Sequence, residues 1–203
     1  MAGGVRMGFL SILSYAQSLI RERVKPGELA IDATLGNGHD ALFLCRQVAP
    51  HGHVYGFDVQ AKAIEASAAR LAAAGFDGAR VTLLQRSHAE MASALPAEAA
   101  GRVAAVMFNL GYLPGGDHRL ITQVTSTLAA LSDSLRLVRV GGVVTVVLYP
   151  GHEGGHEEAT AVEKWAAEVS QEHFHVISYR LLNQRNHPPY VIALECRKQL
   201  GSN

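Results

Sequence analysis

The chain has 203 residues, with 18 Lys and Arg against 18 Asp and Glu, and 48% of it is hydrophobic. A chain of that length buries roughly 70% of the surface its unfolded state exposes, so no disulfide or metal staple is needed. Balanced charge and high apolar content exclude a disordered tail protein and any partner held by bulk charge alone, which leaves a local patch as the way to hold a nucleic acid.

Cys45 and Cys196 stand far apart in apolar stretches, which predicts buried thiols rather than a disulfide framework or a zinc ribbon. No run approaches the roughly 18 consecutive apolar residues of a membrane span. The segment Met7 to Ile20 is interrupted by Ser11, Ser14, Gln17 and Ser18, so it predicts an amphipathic helix in a cytoplasmic protein. One domain is expected over 1–203, with a helix and turn at 1–27 before the first strand. The apolar side of that helix is a candidate homodimer surface.

After Lys25-Pro26-Gly27, Glu28 to Ala33 reads as a short buried strand with Asp32 near its end, followed by a glycine loop. His39 to Val48 has apolar residues at helical spacing, and Val54 to Val59 is a second apolar strand carrying Asp58. The alternation continues with a helix over 61–74, a strand at 81–84, a buried strand Val103 to Asn109, a helix within 121–138 and a strand Val143 to Tyr149. This is the order of a parallel doubly wound α/β sheet. A helix over 157–171 then leads to Phe174 to Leu182 and Tyr190 to Arg197, separated by a gap too short for a parallel crossover, so these two runs form an antiparallel hairpin. A dinucleotide-binding Rossmann domain continues with parallel strands instead. A seven-stranded, mostly parallel sheet ending in an antiparallel hairpin resembles the Rossmann-like fold of class I methyltransferases that use S-adenosylmethionine (SAM).

In the loop after the first strand, Asp32-Ala33-Thr34-Leu35-Gly36-Asn37-Gly38-His39-Asp40, two glycines let a ligand lie against the backbone. Gly36 to Ala41 also satisfies G-x-G-x-x-G/A, so an NAD-dependent oxidoreductase is an alternative. Asp32 facing the amino-acid part of the ligand, the polar Asn37 and Asp40, and the terminal hairpin favour SAM. Asp58 lies at a strand end, where one carboxylate can accept from both ribose hydroxyls. Gln60 either adds an amide contact or begins the next helix as a solvated residue. Ser87-His88 occupies the place where many methyltransferases carry an acid for the adenine amino group.

The fourth strand runs into Asn109-Leu110-Gly111-Tyr112-Leu113-Pro114, which resembles the [DN]-P-P-[YF] motif of methyltransferases acting on nitrogens of planar bases. Transfer from a sulfonium is an in-line displacement that needs a lone pair aimed at the methyl. Asn109 and the Leu110 carbonyl can aim it, and Tyr112 can stack on a base for about 1 to 3 kcal/mol. His152-Glu153-Gly154-Gly155-His156 spells H-E-x-x-H, whose histidines bind zinc from one continuous helix. The glycines weaken such a helix by about 1 kcal/mol each, so no metal is expected. Tyr149 to His152 instead forms a loop at the mouth of the crevice, where His152 can touch substrate or accept a proton.

These segments, with Gly-Phe-Asp-Val-Gln at 56–60, Tyr-Pro-Gly-His at 149–152, and Asn-Gln at 183–184 before Pro-Pro-Tyr at 188–190, resemble the YtqB/MnmM family over nearly the whole chain. The resemblance implies a SAM-dependent tRNA methyltransferase, releasing S-adenosylhomocysteine (SAH), that methylates the aminomethyl nitrogen of 5-aminomethyl-2-thiouridine at the wobble position (34). By the same resemblance, Asp32, Thr34, Gly36, Asn37, Gly38, Asp40, Asp58, Gln60, Ser87, His88, Asn109 and Gly111 hold the cofactor. Leu110, Tyr112, Leu113, Pro114, Tyr149, His152 and Arg185 meet the substrate, with Asn109, Tyr112 and His152 at the reacting atoms. Arg180, Arg185, His187 and Arg119 are the basic candidates for tRNA contact. Another acceptor, in rRNA or a small molecule, and a non-catalytic binding module are the remaining alternatives.

Overall fold

The computed structural model describes residues 8–111, 122–151 and 154–201. Tyr112, Leu113, Pro114, Arg119 and His152 therefore lie outside the described residues.

Helix α1 (Ile12–Arg23) starts later than the residue pattern predicts, because Ser11 caps it by accepting from the Ser14 amide. Strand β1 (Leu29–Asp32), helix α2 (His39–Val48), strand β2 (His53–Asp58), helix α3 (Ala61–Ala73) and strand β3 (Val81–Gln85) follow close to expectation. The Ala-rich stretch beyond is broken into a 3-10 turn His88–Glu90, a short α4 (Met91–Ala94) and a second 3-10 turn Ala97–Ala99. Pro96 stands at that break, where its missing N–H cannot continue a helix. Strand β4 (Val103–Asn109) leads to α5 (Val124–Leu137), β5 (Val138–Leu148), α6 (Gly155–Glu168), β6 (Phe174–Tyr179) and β7 (Tyr190–Cys196). Helix α6 begins at Gly155 and carries His156 in its first turn, whereas the His152 and Glu153 of H-E-x-x-H lie outside the described residues. No group of three metal-binding side chains occurs among the described residues.

The strands form one sheet in the order β3-β2-β1-β4-β5-β7-β6. Pairing is parallel from β3 through β5 and antiparallel from β5 to β7 and from β7 to β6. This is the expected fold, with the terminal hairpin inserting β7 beside β5.

Central strands covered on both faces become continuous apolar runs, and VAAVMFN is such a run. On one face Val106 and Phe108 join Ile31, Val146 and Leu131 of α5; on the other Ala105 and Met107 join Leu44 and Cys45 of α2 and Ile20 of α1. Ile12 and Ala16 pack on Val147 and Val191, so the apolar side of α1 covers its own sheet. Both cysteines are free and buried, as expected. No helix among the described residues is long and apolar enough to cross a membrane.

Candidate active site

The strand order reverses between β1 and β4, where the two connections diverge to opposite faces and leave a crevice at the carboxyl ends. A cavity of about 960 Å³ opens there. Of the residues expected at the cofactor, Thr34, Gly36, Asn37, Asp40, Asp58, Gln60, Ser87, His88, Asn109 and Gly111 line it, as do Leu110 and Tyr149 from the expected substrate set.

Three of the expected site residues lie off the cavity. Asp32 is only 1% exposed and is not in the lining; it stands behind the loop, where one oxygen accepts from the Thr34 amide at 3.2 Å. Gly38 is also outside the lining and serves packing: a Cβ would meet Ser67 Oγ at 2.7 Å and Ser67 Cα at 2.9 Å, and φ is +74°. Arg185 is exposed and off the cavity, while Arg180 is paired with Glu163 at 3.2 Å. Gly38→Ala is expected to cost about 1 to 3 kcal/mol by overpacking, read as a lower urea midpoint.

The loop is held from behind. Ser67 Oγ donates to the Gly36 carbonyl at 3.1 Å and Arg70 Nε to the Asn37 carbonyl at 2.6 Å. Asp58 accepts from the amides of Gly36 at 3.0 Å and Gln60 at 2.9 Å, one on each oxygen, so each oxygen keeps a lone pair for a further donor. His88 places Nδ1 3.2 Å from the Ala33 carbonyl. A carbonyl only accepts, so Nδ1 carries the proton and Nε2 is an acceptor. Burial lowers the pKa of His88, which keeps the ring neutral, and Nε2 has no partner among the described residues.

Asn109 joins the two halves of the crevice. Its amide N–H donates to Thr34 Oγ1 at 2.6 Å, and its side-chain NH₂ donates to Asp40, whose other oxygen accepts from Gln17 of α1 at 3.1 Å. Because a carboxylate accepts and does not donate, Asp40 decides which way the amide faces: NH₂ toward Asp40, Oδ1 away from it. That Oδ1 is buried and has no partner among the described residues. Residue order alone misses Gln17, Leu13 and Thr122, which reach the cavity from distant elements and carry no motif, and Pro189 of the Pro-Pro-Tyr segment lines it too. His187, expected as a basic contact, lines it as well.

Asp58 and His88 Nε2, both in the lining, have acceptor capacity left among the described residues, and SAM brings matching donors in its ribose hydroxyls and adenine amine. A dinucleotide fits poorly. The Gly36 and Gly38 amides, which would cradle a pyrophosphate, already donate to Asp58 and to the Leu35 carbonyl, and Asp40 sits in the first turn of α2.

Burial, with the charges of Asp40 and Asp58 nearby, pushes the Asp32 carboxyl up from 3.8 to about 8. A raised carboxyl favours the folded state fully below its unfolded pKa and loses that contribution as pH rises through the folded value. The ligand-free protein should therefore lose stability from this group between about pH 4 and pH 8. Asp32→Asn, which keeps an acceptor for Thr34, is expected to flatten that decline in urea unfolding at pH 5 and pH 8.

Fold and cavity together define the class I SAM-dependent methyltransferase fold, with Asn109 in the lining of the cavity. The family model described as "Putative rRNA methylase" matches residues 54–195. A curated Arabidopsis thaliana protein named tRNA (mnm(5)s(2)U34)-methyltransferase, chloroplastic, is 35% identical over 179 residues, 85% of this chain; the chain spans 65% of that relative's length. The crystal structure of a "putative rRNA-methylase" from Clostridium thermocellum is 38% identical with a TM-score of 0.89, covering 94% of this chain and 100% of that one. A "putative methyltransferase" from Streptococcus mutans, solved with SAH, is 30% identical with a TM-score of 0.83, covering 93% and 99%. The chain belongs to the family of that model, the rRNA-methylase family.

Proposed function

We propose that the protein transfers a methyl group from SAM to the exocyclic aminomethyl nitrogen of 5-aminomethyl-2-thiouridine at the wobble position of tRNA. The observation that supports this reading is Asn109 Oδ1 at the end of β4, a buried acceptor that Asp40 turns away from itself and that has no partner among the described residues. The name of the Arabidopsis relative supports the choice of acceptor.

Bound SAM supplies an electrophilic methyl carbon on a sulfonium. The amine must be neutral to attack. Asn109 Oδ1 and the Leu110 carbonyl accept its N–H bonds, which turns the lone pair toward the methyl and lowers the entropic cost of reaction. These neutral acceptors leave the nitrogen's lone pair free, and the proton lost by the product amine passes to solvent at the open mouth. Tyr149 lines the cavity with a phenol that burial and the Asp40 charge keep protonated, so it offers a donor and an apolar ring.

The reading is tested by incubating the protein with methyl-labelled SAM and bulk tRNA from a strain lacking wobble aminomethyl methylation, with rRNA alongside, and identifying labelled nucleosides by mass spectrometry. Label in 5-methylaminomethyl-2-thiouridine is expected. Label confined to rRNA would move the acceptor while keeping the chemistry, and an absence of label from both RNAs would remove the nucleic-acid reading.

A further inference from the structure

The described chain leaves the reaction loop at Gly111 and returns at Thr122, and these residues are joined twice. Thr122 N donates to the Gly111 carbonyl at 3.0 Å, and Gly111 N donates to Thr122 Oγ1 at 3.0 Å. The Thr122 hydroxyl then donates to Glu158 Oε2 at 2.5 Å, while Glu158 Oε1 accepts from Thr127 Oγ1 of α5 at 2.6 Å. Glu158 is 4% exposed and lies near the start of α6, where the helix end favours an anion.

Directionality makes this a chain of command. The carboxylate has no proton to give, so the Thr122 hydroxyl hydrogen points at Glu158 and its lone pair is left for the Gly111 N–H. The Leu110–Gly111 peptide is planar, so fixing its N–H fixes the Leu110 carbonyl on the opposite edge. Leu110 is pinned from its other side as well, its amide donating to the Val147 carbonyl at 3.0 Å and its side chain 1% exposed. We propose that Glu158 is a positioning residue for methyl transfer: through Thr122 it fixes the Leu110–Gly111 peptide, so that the Leu110 carbonyl holds the acceptor amine in line. This rests on the acceptor reading above.

The test pairs hydrogen exchange at the Gly111 amide with single-turnover transfer in Glu158→Gln, Thr122→Val, Thr122→Ser and Thr127→Val. Glu158→Gln and Thr122→Val are expected to speed Gly111 exchange and slow transfer, each about tenfold, with SAH affinity unchanged. Thr122→Ser keeps the hydroxyl and retains wild-type behaviour in both. Thr127→Val removes the other bond to Glu158; it lowers the Tm and leaves exchange and transfer as they were. Faster exchange with unchanged transfer, no change in either, or equal losses in Thr127→Val would overturn the proposal. If the wild type methylates no aminomethyl acceptor, that reading alone fails, and the same variants on whichever acceptor it does take decide the role of Glu158.

Discussion

Asn109→Ala is expected to slow methyl transfer about 100-fold or more while leaving SAH affinity within about threefold. The asymmetry follows from where the side chain spends its bonds. Its NH₂ is committed to Asp40, and its Oδ1 meets no donor among the described residues. Removing it therefore takes away an acceptor for the incoming amine and leaves the Asp58 and His88 side of the cavity intact. Asn109→Asp should do no better at neutral pH. It would place a second carboxyl against Asp40, whose own pKa is already raised by burial, and one of the pair would hold a proton or repel the other. Single-turnover transfer and calorimetric titration of SAH separate the two effects. A loss of SAH binding as large as the loss of rate would place Asn109 in the cofactor site alone.

Asp58→Ala is expected to weaken SAH about 100-fold, since hydrogen bonds to a charged group contribute about 1.5 to 3 kcal/mol each. Its carboxylate accepts from Gly36 and Gln60, so the substitution both removes the proposed ribose acceptors and releases the glycine loop. Asp58→Asn, which keeps one acceptor oxygen, should fall between wild type and Ala. Calorimetry with SAH and, separately, NADH provides the check: unchanged SAH affinity in Asp58→Ala would remove the ribose assignment, and NADH binding to the wild type would revive the dinucleotide reading.

What the residue order reveals is set by how local the cause is. Strand β4 matches its predicted bounds because double-sided burial writes an unbroken apolar run that ends at Asn109. Helix α2 is bounded by its glycine loop and by Ala49, and its apolar spacing is equally plain. Boundaries shift where a cap decides them: Ser11 delays α1, and α6 begins at Gly155 rather than at the first acidic residue. Strand β5 starts at Val138 directly after α5, with no polar linker to announce it. The spacing of the glycine loop and Asp58 reads as a cofactor site, and the structure brings both to one cavity, whereas the burial of Asp32 behind Thr34 is a tertiary fact that the spacing does not carry. The contacts that orient the reacting groups are tertiary. Gln17 to Asp40, Asp40 to Asn109 and Thr122 to Glu158 join residues 23, 69 and 36 positions apart, and nothing in the local pattern marks them.

If the exocyclic amine is the acceptor, two anticodon stem-loops that differ only at the wobble uridine test it most directly. One carries 5-aminomethyl-2-thiouridine and the other 2-thiouridine, and single-turnover transfer from labelled SAM is measured on each. Label is expected on the first and absent from the second. Equal labelling of both would place the methyl on another atom and contradict the role of Asn109 and the Leu110 carbonyl in aiming the amine.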